Sequence, residues 1–185
     1  MLTNNEIIAR CILKDRQAQK LLYEKYTAKM FGYCLRYSNN RADAQDLLQD
    51  GFIKVFDSIS SLKETAHLEA WMSRIFINLS LSRFRKLARG PIIVEVDDIL
   101  DESIRDVYSV ELEPMEINEV LKCMRELPEK YRLVLNMYAI DKMGHKEIAE
   151  ALGTSLNNSK SLLHRARIML KKEVFENNRN KETEK

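Results

Sequence analysis

Eight of the 185 residues are glycine or proline, five of the first and three of the second. Typical usage of the pair is about 12%. Sandwiches and barrels need a turn every few residues, so this scarcity disfavours them and favours long helices with few breaks. The breaks that do occur are informative. Gly90-Pro91 interrupts a helical pattern, and Pro114 closes an acidic strip. The chain therefore reads as all-α: a helical domain over 1–90, a flexible acidic linker over 91–114 and a second helical domain over 115–176. The tail over 177–185 has no apolar residue and is expected to be disordered.

Apolar spacing places the helices. Ala18, Leu21, Leu22, Tyr26, Met30, Phe31, Cys34 and Leu35 recur at helical intervals, and Ser38-Asn39-Asn40 ends that run. A helix from Arg41 to Ile59 follows, with Asp43 and Asp46 near its positive end and Leu48, Phe52, Val55 and Phe56 on its apolar face. Ser58 to His67 reads as loop, and Leu68 to Leu87 as helix with Met72, Ile75, Phe76 and Leu79 inward. In the second domain Val120, Leu121, Met124 and Leu127 share one face, and Pro128 opens a helix holding Leu133, Val134, Met137 and Tyr138. A short helix spans His145 to Leu152, Gly153 turns the chain, and Ser155 caps a helix reaching about Val174.

The net charge of +2 is a sum of unlike parts. Residues 95–116 carry nine acids and one base, Arg105, whereas 1–94 are net +6 and 117–185 net +4. Two basic parts joined by an acidic strip point to nucleic acid. The stretch GHKEIAEALGTSLNNSKSLLHRARIMLKK, Gly144 to Lys172, sharpens this. A short helix, a glycine turn and a second helix make a helix-turn-helix pattern. The second helix has no acid from Asn157 to Lys172 but carries Lys160, His164, Arg165, Arg167, Lys171 and Lys172, which suits entry into the major groove. From Ala70 to Val94 there are again five bases and no acid, with Arg74, Asn78, Ser82 and Arg85 on one stripe near Trp71 and Phe84. Bases of single-stranded DNA stack on such aromatics, although Trp71 fits a core position equally well. The polar side of the Arg41–Ile59 helix has the opposite sign: Asp43, Asp46, Gln49, Asp50 and Asp57 repel DNA and suit a basic protein partner or plain solvation.

Other functions find little support. No long apolar run spans a membrane, and Met1 to Arg10 lacks the pattern of a secretory signal. Cys11, Cys34 and Cys123 are odd in number and far apart, which fits a reducing cytoplasm and neither a disulfide framework nor a metal clip. His67, His145 and His164 form no metal motif, and there is no Walker A, GxGxxG or GxSxG sequence. A non-enzyme without metal or cofactor is the expectation.

Three segments in order carry a family resemblance: DAQDLLQDGFIKVF, AWMSRIFINLSLSRFRK, and ELPEKYRLVLNMYAIDKMGHKEIAEALG with SKSLLHRAR. Together they resemble the extracytoplasmic-function (ECF) sigma factors of bacterial RNA polymerase, with region 2 in the first domain and region 4 in the second. The resemblance implies that Asp43, Asp46, Gln49 and Asp50 dock on the clamp helices of the largest subunit of the core RNA polymerase. It implies that the loop from Ser60 to His67, with Lys63, captures a flipped base, while Trp71, Arg74, Asn78 and Arg85 border the melted −10 element of promoter DNA. Lys160, Ser161, His164, Arg165 and Arg167 would meet the −35 element. It also implies an anti-sigma factor as a further partner. Two departures stand out: Leu162 where many members have arginine, and Ser159 and Thr154 where many have apolar residues, which predicts looser helix-turn-helix packing. A free-standing helix-turn-helix regulator is the alternative; it leaves the acidic face without a role.

Overall fold

The computed structural model describes residues 2–87 and 117–183, so the linker expected over 91–114 lies outside the described residues. The chain divides into two compact units, Met1–Leu87 and Ala88–Lys185. Each contains only helices and turns among its described residues.

The first unit is built from α1 (Asn4–Ile12), α2 (Arg16–Tyr37), α3 (Arg41–Ser58) and α4 (Leu68–Leu87). Side chains close the exposed N–H groups at the helix starts. Glu6 Oε2 accepts from the Thr3 N–H at 2.7 Å while Thr3 Oγ1 accepts from the Glu6 N–H at 3.3 Å, a capping box for α1. Asp15 Oδ1 accepts from Gln17 N–H at 2.8 Å and Ala18 N–H at 3.3 Å to start α2. Asn40 does the same for α3 through the Asp43 N–H. Between α1 and α2 the chain turns at Lys14, whose φ of 60° lies in the left-handed region.

Helices α2, α3 and α4 pack on one another, with α1 against α2. Leu22, Met30, Leu47, Phe52, Val55, Met72 and Phe76 fill the core. The Phe52 and Phe76 rings meet edge to face at 5.6 Å. Gly51 lets the backbone of α3 meet the Phe76 ring directly, because a Cβ there would overlap the ring edge. The segment expected as loop contains two short 3₁₀ turns, Ile59–Ser61 and Thr65–His67, held between buried Ile59 and Leu68.

The second unit comprises α5 (Ile117–Glu126), α6 (Glu129–Leu135), α7 (His145–Leu152) and α8 (Leu156–Thr183), and α5, α6 and α7 each pack on α8. Helix α6 runs into a single π-helical turn, Asn136–Ile140, closed by the Asp141 N–H donating to the Asn136 carbonyl at 2.9 Å. Leu133, Val134, Met137, Ile148, Leu152, Leu162, Leu163 and Ala166 are buried in this unit. Gly153 takes φ 66° between α7 and α8, a conformation that costs glycine nothing.

The tail differs from the expectation of disorder: α8 continues through Asn177 to Thr183. A helix closes its hydrogen bonds within itself. Once nucleated by packed residues such as buried Val174, it extends over Glu, Asn, Arg and Lys at small cost per residue. Among the described residues no helix is long and apolar enough to cross a membrane.

Candidate macromolecular interfaces

Helix α3 presents the acidic face. Asp43, Asp46, Gln49 and Asp50 are all exposed, while Ala44, Leu47, Leu48, Phe52 and Val55 are buried on the other side. Asp43 stays close to the helix start, where Asn40 Nδ2 donates to its Oδ2 at 2.8 Å. Asp50 is engaged as well: Arg83 Nη2 of α4 donates to its Oδ2 at 2.5 Å. Helix periodicity explains the pair, because Arg83 lies seven residues beyond Phe76 on the side of α4 that meets α3. Ile53, which is not among the sequence candidates, is 60% exposed and continues the line of Asp46 and Asp50 at i+7 and i+3. Its signal was an apolar residue out of register with the core stripe.

The outer side of α4 is cationic. Arg74, Asn78 and Arg85 are exposed, and Ser73, Phe76 and Ile77 are buried. Trp71 is half-buried, between the core and the surface. Its ring packs partly against the core, and the residue also lines a cavity of about 520 Å³. Leu62, Lys63, Glu64, His67 and Arg74 share that lining, so the turn segment and the start of α4 form one concave surface. His67 Nε2 lies 3.1 Å from Glu64 Oε2 at its rim. A cavity of this size admits a planar group such as an unstacked base.

Helix α8 carries the third surface. Lys160, Ser161, His164 and Arg167 are exposed and Arg165 is half-buried. The start of the helix is ordered by Ser155 Oγ, which accepts from the Asn158 N–H at 3.1 Å. Ser161 Oγ donates to the Asn157 carbonyl at 3.1 Å, so towards a ligand this hydroxyl can only accept. Leu162 is fully buried and packs inward. Looser packing around Ser159 is not observed. Ser159 is fully buried and its Oγ lies 3.1 Å from His145 Nδ1, a polar tie between α7 and α8. Asn158 Nδ2 donates to Thr154 Oγ1 at 2.5 Å beside it. The sequence places Tyr138 on a helix and assigns it no contact. It is half-buried, its ring centroid lies 5.1 Å from that of His145, and the Arg167 guanidinium lies 5.3 Å from it.

The three cysteines are buried, and burial pushes the thiols of Cys11 and Cys34 up to about 11 and about 12. No group of histidine, cysteine and carboxylate side chains among the described residues could hold a metal ion.

Two family models match: Sigma-70 region 2 over residues 22–90 and Sigma-70, region 4 over 117–170. The ECF RNA polymerase sigma factor SigW of Bacillus subtilis is 28% identical over 175 residues, covering 86% of this chain and 90% of that protein. The ECF RNA polymerase sigma-E factor of Haemophilus influenzae is 26% identical over 185 residues, covering 94% and 96%. The sigma factor RpoE of Bartonella quintana, solved in complex with the anti-sigma factor NepR, shares the fold at a TM-score of 0.51 and 19% identity, covering 84% of this chain and 95% of that one.

Proposed function

We propose a division of labour for this chain, which belongs to the sigma-70 family as an extracytoplasmic-function sigma factor. It is an alternative sigma factor, and its three surfaces map onto three contacts. The observation that carries the map is the segregation of charge within the first unit: acids on the exposed face of α3, cations and an aromatic-lined cavity on α4. Asp43, Asp46, Gln49 and Asp50 dock on the basic clamp helices of core RNA polymerase. The cavity between the turn segment and Trp71 takes an unstacked −10 base, with Lys63, Arg74, Asn78 and Arg85 along the backbone. Lys160, Ser161, His164, Arg165 and Arg167 meet the −35 duplex. The factor binds and positions, and the polymerase performs the chemistry. It works in the cytoplasm, and an anti-sigma factor that covers these surfaces would silence it.

Energetics explain why the polymerase is needed. If α8 neutralises about four phosphates, the salt slope is about −3.6, and a fourfold rise in salt weakens binding about 150-fold. Attachment of both units to one polymerase makes each DNA contact intramolecular and offsets that loss. Opening costs about 1.4 kcal/mol of stacking at every melted step and a few kcal/mol for each flipped base, whereas a base seated in the cavity returns only about 1–3 kcal/mol. The chain alone therefore does not open a duplex.

Gel filtration with bacterial core polymerase tests the docking face. Asp46→Arg is the cleaner variant, because Asp50 carries the Arg83 ion pair. The intact chain should co-elute and the variant should not. Co-elution of both would move the docking surface elsewhere. Failure of the intact chain to bind, together with a stable dimer on DNA, would favour the free-standing regulator.

A further inference from the structure

We propose that Tyr138 and His145 form an aromatic platform that positions Arg167 for a DNA phosphate, an inference that rests on the −35 reading of α8. Three contacts make a continuous path. Ser159, fully buried in α8, lies 3.1 Å through Oγ from His145 Nδ1. The His145 and Tyr138 ring centroids are 5.1 Å apart, tilted by 31°. Arg167, two turns beyond Ser159 on the same helix, lies 5.3 Å through its guanidinium carbon from the Tyr138 centroid.

Each link has a physical cause. The π-helical turn Asn136–Ile140 adds a residue to the helical turn and sets Tyr138 at its middle. His145 is the first residue of α7, whose start is closed by the Gly144 N–H donating to Glu147 Oε2 at 2.8 Å. The buried Ser159 hydroxyl then fixes the ring. A hydroxyl is tolerated at that core position because the imidazole satisfies it.

A guanidinium held over an aromatic ring spends its face on the ring. Its N–H donors lie in its plane and stay available to a phosphate. Arg167 is exposed. The cation–π contact therefore restricts a long side chain without consuming its donors, and less ordering remains to be done on binding. Tyr138 and His145 are positioning residues here; Arg167 makes the contact.

The test uses the full chain and a fluorescent duplex of about two helical turns, with anisotropy read between about 50 and about 200 mM salt. Arg167→Gln should reduce the salt slope by about 0.9. Tyr138→Leu should weaken binding about two- to fivefold, an effect that disappears in the Arg167→Gln background. Tyr138→Phe keeps the ring and should bind as the unaltered chain does. If the leucine variant does not fold, Tyr138→Met, also non-aromatic, takes its place. A Tyr138→Leu effect that persists undiminished without Arg167, or a phenylalanine variant as weak as the leucine one, overturns the platform. Lys160→Gln separates the two levels. If it lowers the slope and Arg167→Gln does not, the platform fails and the DNA face stands. If neither changes it, both fail.

Discussion

Gly51→Ala places one methyl group where α3 meets α4. Ordinary contact begins at 3.4 Å, and a Cβ at this position lies well inside that distance from three atoms of the Phe76 ring. The ring must retreat by about an ångström or more. It has little freedom to do so, because Phe76 is 1% exposed and stands edge-on to Phe52. Overpacking of this kind costs about 1–3 kcal/mol, and the pinned ring argues for the upper end. Alanine returns up to about 1 kcal/mol of helix propensity. The net loss should be about 2 kcal/mol. Trp71, the single tryptophan, lies in α4 and reports on the first unit alone, so its fluorescence in a urea titration is the assay. The transition midpoint should fall with little change in slope. Gly51→Ala/Phe76→Leu should lose less than the two single changes predict together, since leucine vacates the space that the methyl needs. A Gly51→Ala chain as stable as the original, or more stable by the propensity gain, would refute the close approach of α3 and α4.

Two other perturbations follow from the same structure. Cys11 and Cys34 ionise near 9 when unfolded but only near about 11 and about 12 when folded, because burial penalises the thiolate. The folded chain then holds more protons than the unfolded one above pH 9, so stability is fully present below that value. It falls as pH rises towards about 11, by up to about 1.4 kcal/mol per pH unit per thiol. Urea midpoints measured from pH 8 upwards check this; a flat profile would contradict it, as would rapid alkylation of these thiols in the native chain at pH 8. Lys142 sits at φ 58° in an exposed turn. Lys142→Gly relieves about 1–2 kcal/mol of left-handed strain against about 0.5–1 kcal/mol of added unfolded-chain entropy. A gain of up to about 1.5 kcal/mol in the far-ultraviolet circular dichroism transition is expected, and a loss would show that the lysine side chain contributes more than the strain.

Much of the fold was legible because its causes are local. The α7 bounds, His145 and Leu152, follow from Gly144, the apolar period and Gly153. Helix α3 starts where Asn40 can cap it, and α4 spans the range that its apolar spacing predicts. The tail over Asn177–Thr183 differs for a local reason too: its composition favours disorder, but an existing helix only has to continue through it. The exposed candidates on α3, α4 and α8 were legible as stripes of one charge, since a period of 3.6 residues sorts faces without knowledge of neighbours.

The chain's own order of residues determined its helices, its caps, its helix-turn-helix and the sign of each face. Tertiary structure alone decided what those faces touch. The Asp50–Arg83 bridge spans 33 positions, and Arg167 reaches Tyr138 across 29. No local period encodes either. Packing likewise turned Leu162 inward, buried Ser159 against His145 and divided Trp71 between core and cavity. The reason is geometric: periodicity states which side of a helix is apolar, but only the packing of a second helix settles which atoms meet there and which polar groups find partners.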